Sequence, residues 1–93
     1  MILVSQGSAT TAAIKASGQS WRAIYFYGTW NTATVTLQQS ANGTVWHTCR
    51  SNLATPANVA ANTNAFHSIH TSANYFRVLF ATVGTDKVTV EAL

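Results

Sequence analysis

The chain has 93 residues, 47% of them hydrophobic, and only 8% charged, where an ordinary soluble domain carries about a quarter. Thr, Ser, Asn, Gln and Ala stand where charges usually do, and five basic against two acidic residues leave a net charge of +3. This composition argues against disorder, which goes with few aromatics and high net charge, and against a coiled coil, which needs Glu, Lys and Arg. With Asp86 and Glu91 as its two carboxylates, the chain has almost no material for paired-carboxylate catalysis.

The start, Met-Ile-Leu-Val, is too short for a signal-peptide core and has no basic leader, so the sequence predicts a protein made in the cytoplasm and not exported that way. Residues 1–8 fit two readings equally: an extended N-terminal arm that docks on a neighbour as an added strand, or the first strand of the protein's own sheet. Residues 10–15 read as a strand, closed by the turn residues Ser17 and Gly18. Residues 21–27 form a second strand dense in aromatics, and alternation puts Trp21, Tyr25 and Tyr27 on one face. Gly28 ends it.

Residues 32–39 alternate cleanly. Ala33, Val35 and Leu37 point one way, Thr32, Thr34, Thr36 and Gln38 the other, in residues that favour strands. Asn42-Gly43 then predicts a tight hairpin turn, because both residues tolerate positive φ, with residues 45–49 as the return strand. Residues 51–58 read as a loop around Pro56, and residues 59–64 as a helical turn or more loop. Extended character resumes over 65–71. Residues 75–81 are apolar on both faces, which predicts a central strand or one with a face in an interface. A turn near Gly84 leads to a last strand over 87–92, with Val88, Val90 and Ala92 inward.

Six to eight short strands, with turn signals between them and no long helix, predict an all-β protein. The expected fold is a single antiparallel β-sandwich over residues 1–93, of jelly-roll or immunoglobulin-like kind.

The chemistry-bearing residues are few. Cys49 is the sole cysteine, so no internal disulfide forms, which fits a reducing compartment. His47 and Cys49 lie two apart on one strand face, but a zinc site takes three or four ligands. His67 and His70 have opposite parity, so only one of them can join that face. We therefore expect no metal and no cofactor. No Gly-x-Ser-x-Gly elbow is present, and a lone strand cysteine is most often buried, so no catalytic residue and no enzyme activity are expected. Lys15, Arg22, Arg50, Arg77 and Lys87 are scattered singly, which argues against a nucleic-acid partner. No apolar run approaches the ~18 residues of a membrane span. Trp21, Tyr25 and Trp30 are candidates for a sugar-stacking platform, with Asn31 and Asn74 as polar neighbours; the competing role for these rings is the core of a small sandwich.

Residues 27–46, Tyr-Gly-Thr-Trp-Asn-Thr-Ala-Thr-Val-Thr-Leu-Gln-Gln-Ser-Ala-Asn-Gly-Thr-Val-Trp, resemble a pattern in small virion structural proteins of tailed bacteriophages. There a Gly-Thr-Trp segment precedes an Ala-Thr-Val-x-Leu-Gln strand, a Ser-x-Asp/Asn-Gly turn and a Trp. The resemblance extends loosely to residues 75–81 and 85–92. It implies a capsid decoration (cement) protein on the virion's outer surface, homotrimeric, that binds the major capsid protein and stabilises the shell across capsomer boundaries. A tail or head–tail connector protein and a carbohydrate-binding module are the alternatives. The expected contact residues are Ile2 and Leu3, Trp30 and Asn31, and Arg50, Asn52, Leu53 and Pro56 of the 50–64 loop. Uncharged outward rows such as Thr34, Thr36 and Gln38 fit surfaces meant to be covered by neighbouring subunits.

Overall fold

A computed structural model describes residues 1–16, 20–52, 57–71, 73–82 and 84–93; Leu53 and Pro56 lie outside them. Nine strands are described: β1 (Ile2–Gly7), β2 (Ile14–Lys15), β3 (Trp21–Thr29), β4 (Thr34–Ser40), β5 (His47–Thr48), β6 (Ala60–Ala61), β7 (Ala65–Thr71), β8 (Tyr75–Ala81) and β9 (Lys87–Ala92). The described residues contain no helix. The chain behaves as one long hairpin that has been rolled up. Its turn lies between β4 and β5. Moving outward from there, β3 pairs with β7, β2 with β8 and β1 with β9, all antiparallel. Rolling adds the contacts β3–β9 and β4–β8, and gives two sheets, ordered β1-β9-β3-β7 and β2-β8-β4-β5. Strand β6 also pairs with β4, next to β5, so β5 and β6 act as one interrupted strand. Of the two sandwich topologies expected, this is the jelly roll, eight strands wound through two Greek keys.

The core lies between the sheets. Ile24, Val35, Leu37, Val78, Val88 and Val90 are fully buried there, and the Trp21 ring packs on Phe76 at 4.3 Å between centroids. Each apolar side chain of this size contributes about 1.5–3 kcal/mol by leaving water. The alternations expected in 32–39 and 87–92 hold: Ala33, Val35 and Leu37, and Val88, Val90 and Ala92, are buried.

Several local expectations change. Trp21 does not share a face with Tyr25 and Tyr27. A register shift between Trp21 and Ala23 turns Trp21 inward with Ile24 and Phe26, while both tyrosines stay exposed. The strand expected over 10–15 shrinks to Ile14–Lys15. Upstream of it the Thr11 and Thr10 hydroxyls accept the Val78 and Phe80 N–H groups, at 3.0 Å each, in place of backbone carbonyls. The hairpin exists, but its turn is wide: Gln39 pairs with His47, and residues 41–46 bridge them. Only Gly43 has positive φ there, at 80°, whereas a two-residue type I′ turn needs it twice. The wider loop is closed by side chains. The Ser40 hydroxyl accepts the Asn42 and Gly43 N–H groups, and Asn42 Oδ1 accepts those of Thr44 and Val45. Residues 59–64 hold strand β6 and not a helical turn. The N-terminal residues form β1, hydrogen-bonded to β9, which is the second of the two readings.

One carboxylate joins the two crossovers at one end of the roll. Asp86, 1% exposed, accepts N–H groups from Asn31, Thr32, Ala33 and Gly84. It ties the β3–β4 connection to the β8–β9 turn. Burial alone pushes its carboxyl up, but the backbone donors Asn31, Ala33, Gly84 and Thr32 outweigh it and hold the pKa below the ordinary 3.8. A depressed folded-state pKa stabilises the fold above the ordinary value and loses that contribution as pH falls through the folded one. The melting temperature should therefore drop with acid below about pH 4. Asp86→Asn should melt several degrees lower at neutral pH and lose most of that acid slope; an unchanged slope in a pH series of thermal melts would contradict this role.

Candidate functional site

The two outer sheet faces differ in chemistry. On the β2-β8-β4-β5 sheet, Thr34, Thr36 and Gln38 stand opposite Ala81, Leu79 and Arg77. Arg77 Nε donates to Gln38 Oε1 at 2.6 Å, and the guanidinium carbon lies 4.6 Å from the centre of the Trp46 ring. This face is polar, and the Arg77 guanidinium on it is already stacked and hydrogen-bonded.

The β1-β9-β3-β7 sheet presents the opposite. Cross-strand register aligns Ile2, Glu91, Tyr25 and Phe66 in one row across all four strands. Ile2 is 47% exposed, Tyr25 37% and Phe66 60%. Tyr25 and Phe66 stack with centroids 5.4 Å apart. The next row holds Tyr27, 40% exposed, beside Thr89. The Tyr27 hydroxyl donates to Glu91 Oε1 at 3.1 Å. That bond first, then partial desolvation and the charge of Glu91, raise the Tyr27 pKa above its ordinary value. Leu93, just past Ala92 and hydrogen-bonded to Ala23, adds a further exposed apolar side chain. The outer face thus exposes Ile2, Tyr25, Tyr27, Phe66 and Leu93, with the carboxylate of Glu91 between Ile2 and Tyr25.

The close approach of β3 and β9 that builds this face depends on Gly28. Its φ is 144°, and a Cβ there would sit 2.1 Å from the Lys87 carbonyl oxygen. The Gly28 N–H donates to Asn64 Oδ1, which also accepts the Trp30 indole N–H at 2.8 Å.

The residues expected at the interface are not brought together. Ile2 lies on the apolar face. Leu3 does not: at 8% exposure it belongs to the core, because a register shift in β1 after Ile2 turns both Leu3 and Val4 inward. Trp30 is half-buried and tethered by Asn64, while Asn31 is exposed with its backbone held by Asp86. Arg50 and Asn52 are exposed at the opposite end of β3, where the Arg50–Asn58 bridge and the Ser51–Ala57 hydrogen bonds hold two stretches of chain together. The Asn52 N–H donates to the Ser68 carbonyl at 2.7 Å, so Asn52 covers part of the open edge of β7. Sequence reasoning missed Phe66, Glu91 and Asn64, whose roles arise only when distant strands pair.

Other features do not form a site. A hollow of about 380 Å³ is lined by Gln39, Ser40, Ala41, His47, Ala73 and Asn74. Its Ser40 hydroxyl serves the loop, and its Asn74 amide donates to the Ala41 carbonyl. His47 is exposed while Cys49 is 1% exposed, so the two do not form a ligand pair. Among the described residues no three of His, Cys, Asp or Glu stand close enough to hold a metal ion. Of the sugar-platform candidates, Trp21 is buried and Trp30 is tethered, which leaves Tyr25.

Comparisons with protein-family models, with curated proteins and with solved structures find no match.

Burial pushes the Cys49 thiol up to about 12, so the thiolate is scarce at neutral pH. A thiol reagent should leave the native protein unlabelled and label it once denaturant is added. Rapid labelling of the native state would contradict the packing around β5.

Proposed function

We propose that the protein is a bacteriophage virion structural component of the decoration type, which binds the outside of the major capsid protein shell and stabilises it across capsomer boundaries. It acts without catalysis, as a homotrimer set where capsomers meet. The observation that carries this reading is the apolar outer face of the β1-β9-β3-β7 sheet. Exposed, contiguous apolar surface on a small soluble domain marks a place where another protein sits. Exposed aromatic rings such as Tyr25, Tyr27 and Phe66 are what interface cores are enriched in. The residues that resemble phage virion proteins, 27–46, run from the end of β3 through β4 and its wide loop. The jelly roll is used by viral capsid domains and also by lectins, so the fold alone favours neither.

Mechanically, a shell gains stability when each bound copy buries surface against two capsomers at once. Separating them then costs the loss of both contacts. The chain suits a part in an assembly, because it folds around its own core and leaves apolar side chains exposed for contact with other subunits.

The second reading is a carbohydrate-binding module, favoured by one specific observation: the Tyr25–Phe66 stack beside the Tyr27–Glu91 hydrogen bond. Sugar binding pairs an aromatic face with a hydrogen-bonding carboxylate or amide.

Virions assembled without the protein should lose heat resistance and regain it when purified protein is added back. Its copy number should be in the hundreds. Normal heat resistance with failed assembly, and a dozen copies or fewer, would favour a tail or connector role. A tryptophan or tyrosine fluorescence shift with glycans and none with shells would favour the second reading.

A further inference from the structure

We infer that the apolar face of the β1-β9-β3-β7 sheet is covered by a second copy of this chain, with Glu91 of one copy paired to Arg22 of the next. The inference rests on the assembly reading above and names the surface through which copies meet.

The charge inventory makes this specific. The chain has two side-chain carboxylates. Asp86 is consumed inside the fold by four backbone N–H groups. Glu91 is thus the sole side-chain carboxylate left for a partner, and it sits in the middle of the exposed apolar row. A partner that covers this row must bring a cation to Glu91, since an unpaired buried charge is strongly unfavourable.

The same face supplies such a cation. Arg22 is exposed and lies on β3, three residues before Tyr25, the residue opposite Glu91. At about 3.3 Å per residue it stands roughly 10 Å along the strand. It borders Ser68 and Asn52 at the edge of the face. Leu93 and Tyr25 line the interval between the two charges, with Ile2 beyond Glu91 on β1 and Phe66 beyond Tyr25 on β7. With the acid in the middle of the face and the base at its edge, a rotated copy can bring the Arg22 edge of one chain against Glu91 of the next, a head-to-tail contact that closes into a ring. Lys87 also lies on this sheet, opposite Thr29, at the far side of Glu91 from Leu93 and Arg22. The interval between Glu91 and Lys87 is lined by Thr89, Tyr27 and Thr29. The Lys87 interval holds two threonines beside Tyr27, whereas the Arg22 interval holds Leu93 and Tyr25, so apolar burial favours Arg22.

The test is the solution mass of the free protein over a dilution series, by light scattering or sedimentation. The wild type should be multimeric. Glu91→Arg and Arg22→Glu should each weaken association at least about tenfold, by setting like charges together. The double exchange, Glu91→Arg with Arg22→Glu, should restore it, and Lys87→Glu should leave it unchanged. All these positions are on the surface, and matched circular dichroism spectra confirm the fold. A wild type that stays monomeric, single exchanges without effect, a double exchange that fails to restore, or a dominant effect of Lys87→Glu would each overturn the inference. Binding to shells that lack the protein is scored separately. A monomer that still binds shells overturns the inference and leaves the decoration reading standing. A multimer with the predicted charge dependence that ignores shells does the reverse.

Discussion

Asp86 is a buried carboxylate in a chain that has only one other acidic side chain. Its two oxygens gather N–H groups from the β3–β4 connection and from the β8–β9 turn. Those are the places where the chain crosses from one sheet to the other and back. A rolled hairpin needs its crossovers held together, or the two halves splay apart. Here one acceptor does it with backbone donors, without a basic partner. The consequence reaches the surface. Fixing these crossovers holds β9 beside β3, Gly28 lets their backbones close, and Glu91 comes to stand between Ile2 and Tyr25. The exposed face that holds Ile2, Glu91, Tyr25 and Phe66 thus depends on hydrogen bonds at the far end of the sheet.

The low charge that marks this sequence has two different meanings on its two outer faces. On the β2-β8-β4-β5 sheet, Thr and Gln replace charge and remain compatible with water. Arg77 is stacked on Trp46 and bonded to Gln38. On the other sheet, aromatic and aliphatic side chains take the outward positions and remain exposed. The Thr and Gln rows at 34, 36 and 38 suggested covered surfaces from the sequence. The larger exposed apolar side chains stand on the opposite sheet, among residues whose neighbours lie far away along the chain.

How much was legible follows from the range of each interaction. The strands at 32–39, 75–81 and 87–92 were legible because alternation is local and each packs one face inward. The jelly roll was one of two expected topologies, since pairing order is not written in any single strand. Trp21 was misplaced because a register shift after it reverses parity, and nothing in Trp21-Arg22-Ala23 announces a bulge. Leu3 was misplaced for the same reason in β1. The Asn42-Gly43 turn was located correctly but drawn too tight, because Ser40 and Asn42 side chains take over hydrogen bonds that a type I′ turn leaves to the backbone. Of the exposed face, Tyr25 and Tyr27 were visible as a pair of equal parity. Phe66 and Glu91 were not, because their place beside Tyr25 exists only after β7 and β9 pair with β3.

If the protein works in an assembly, the β1-β9-β3-β7 face should be covered there. Hydroxyl-radical footprinting reads this residue by residue. Oxidation of Tyr25, Tyr27 and Phe66 should be strong in dilute protein and suppressed in the assembled state, while Tyr75 on the other sheet reacts equally in both. Equal oxidation of Tyr25, Tyr27 and Phe66 in the two states, or protection confined to Tyr75, would contradict the account.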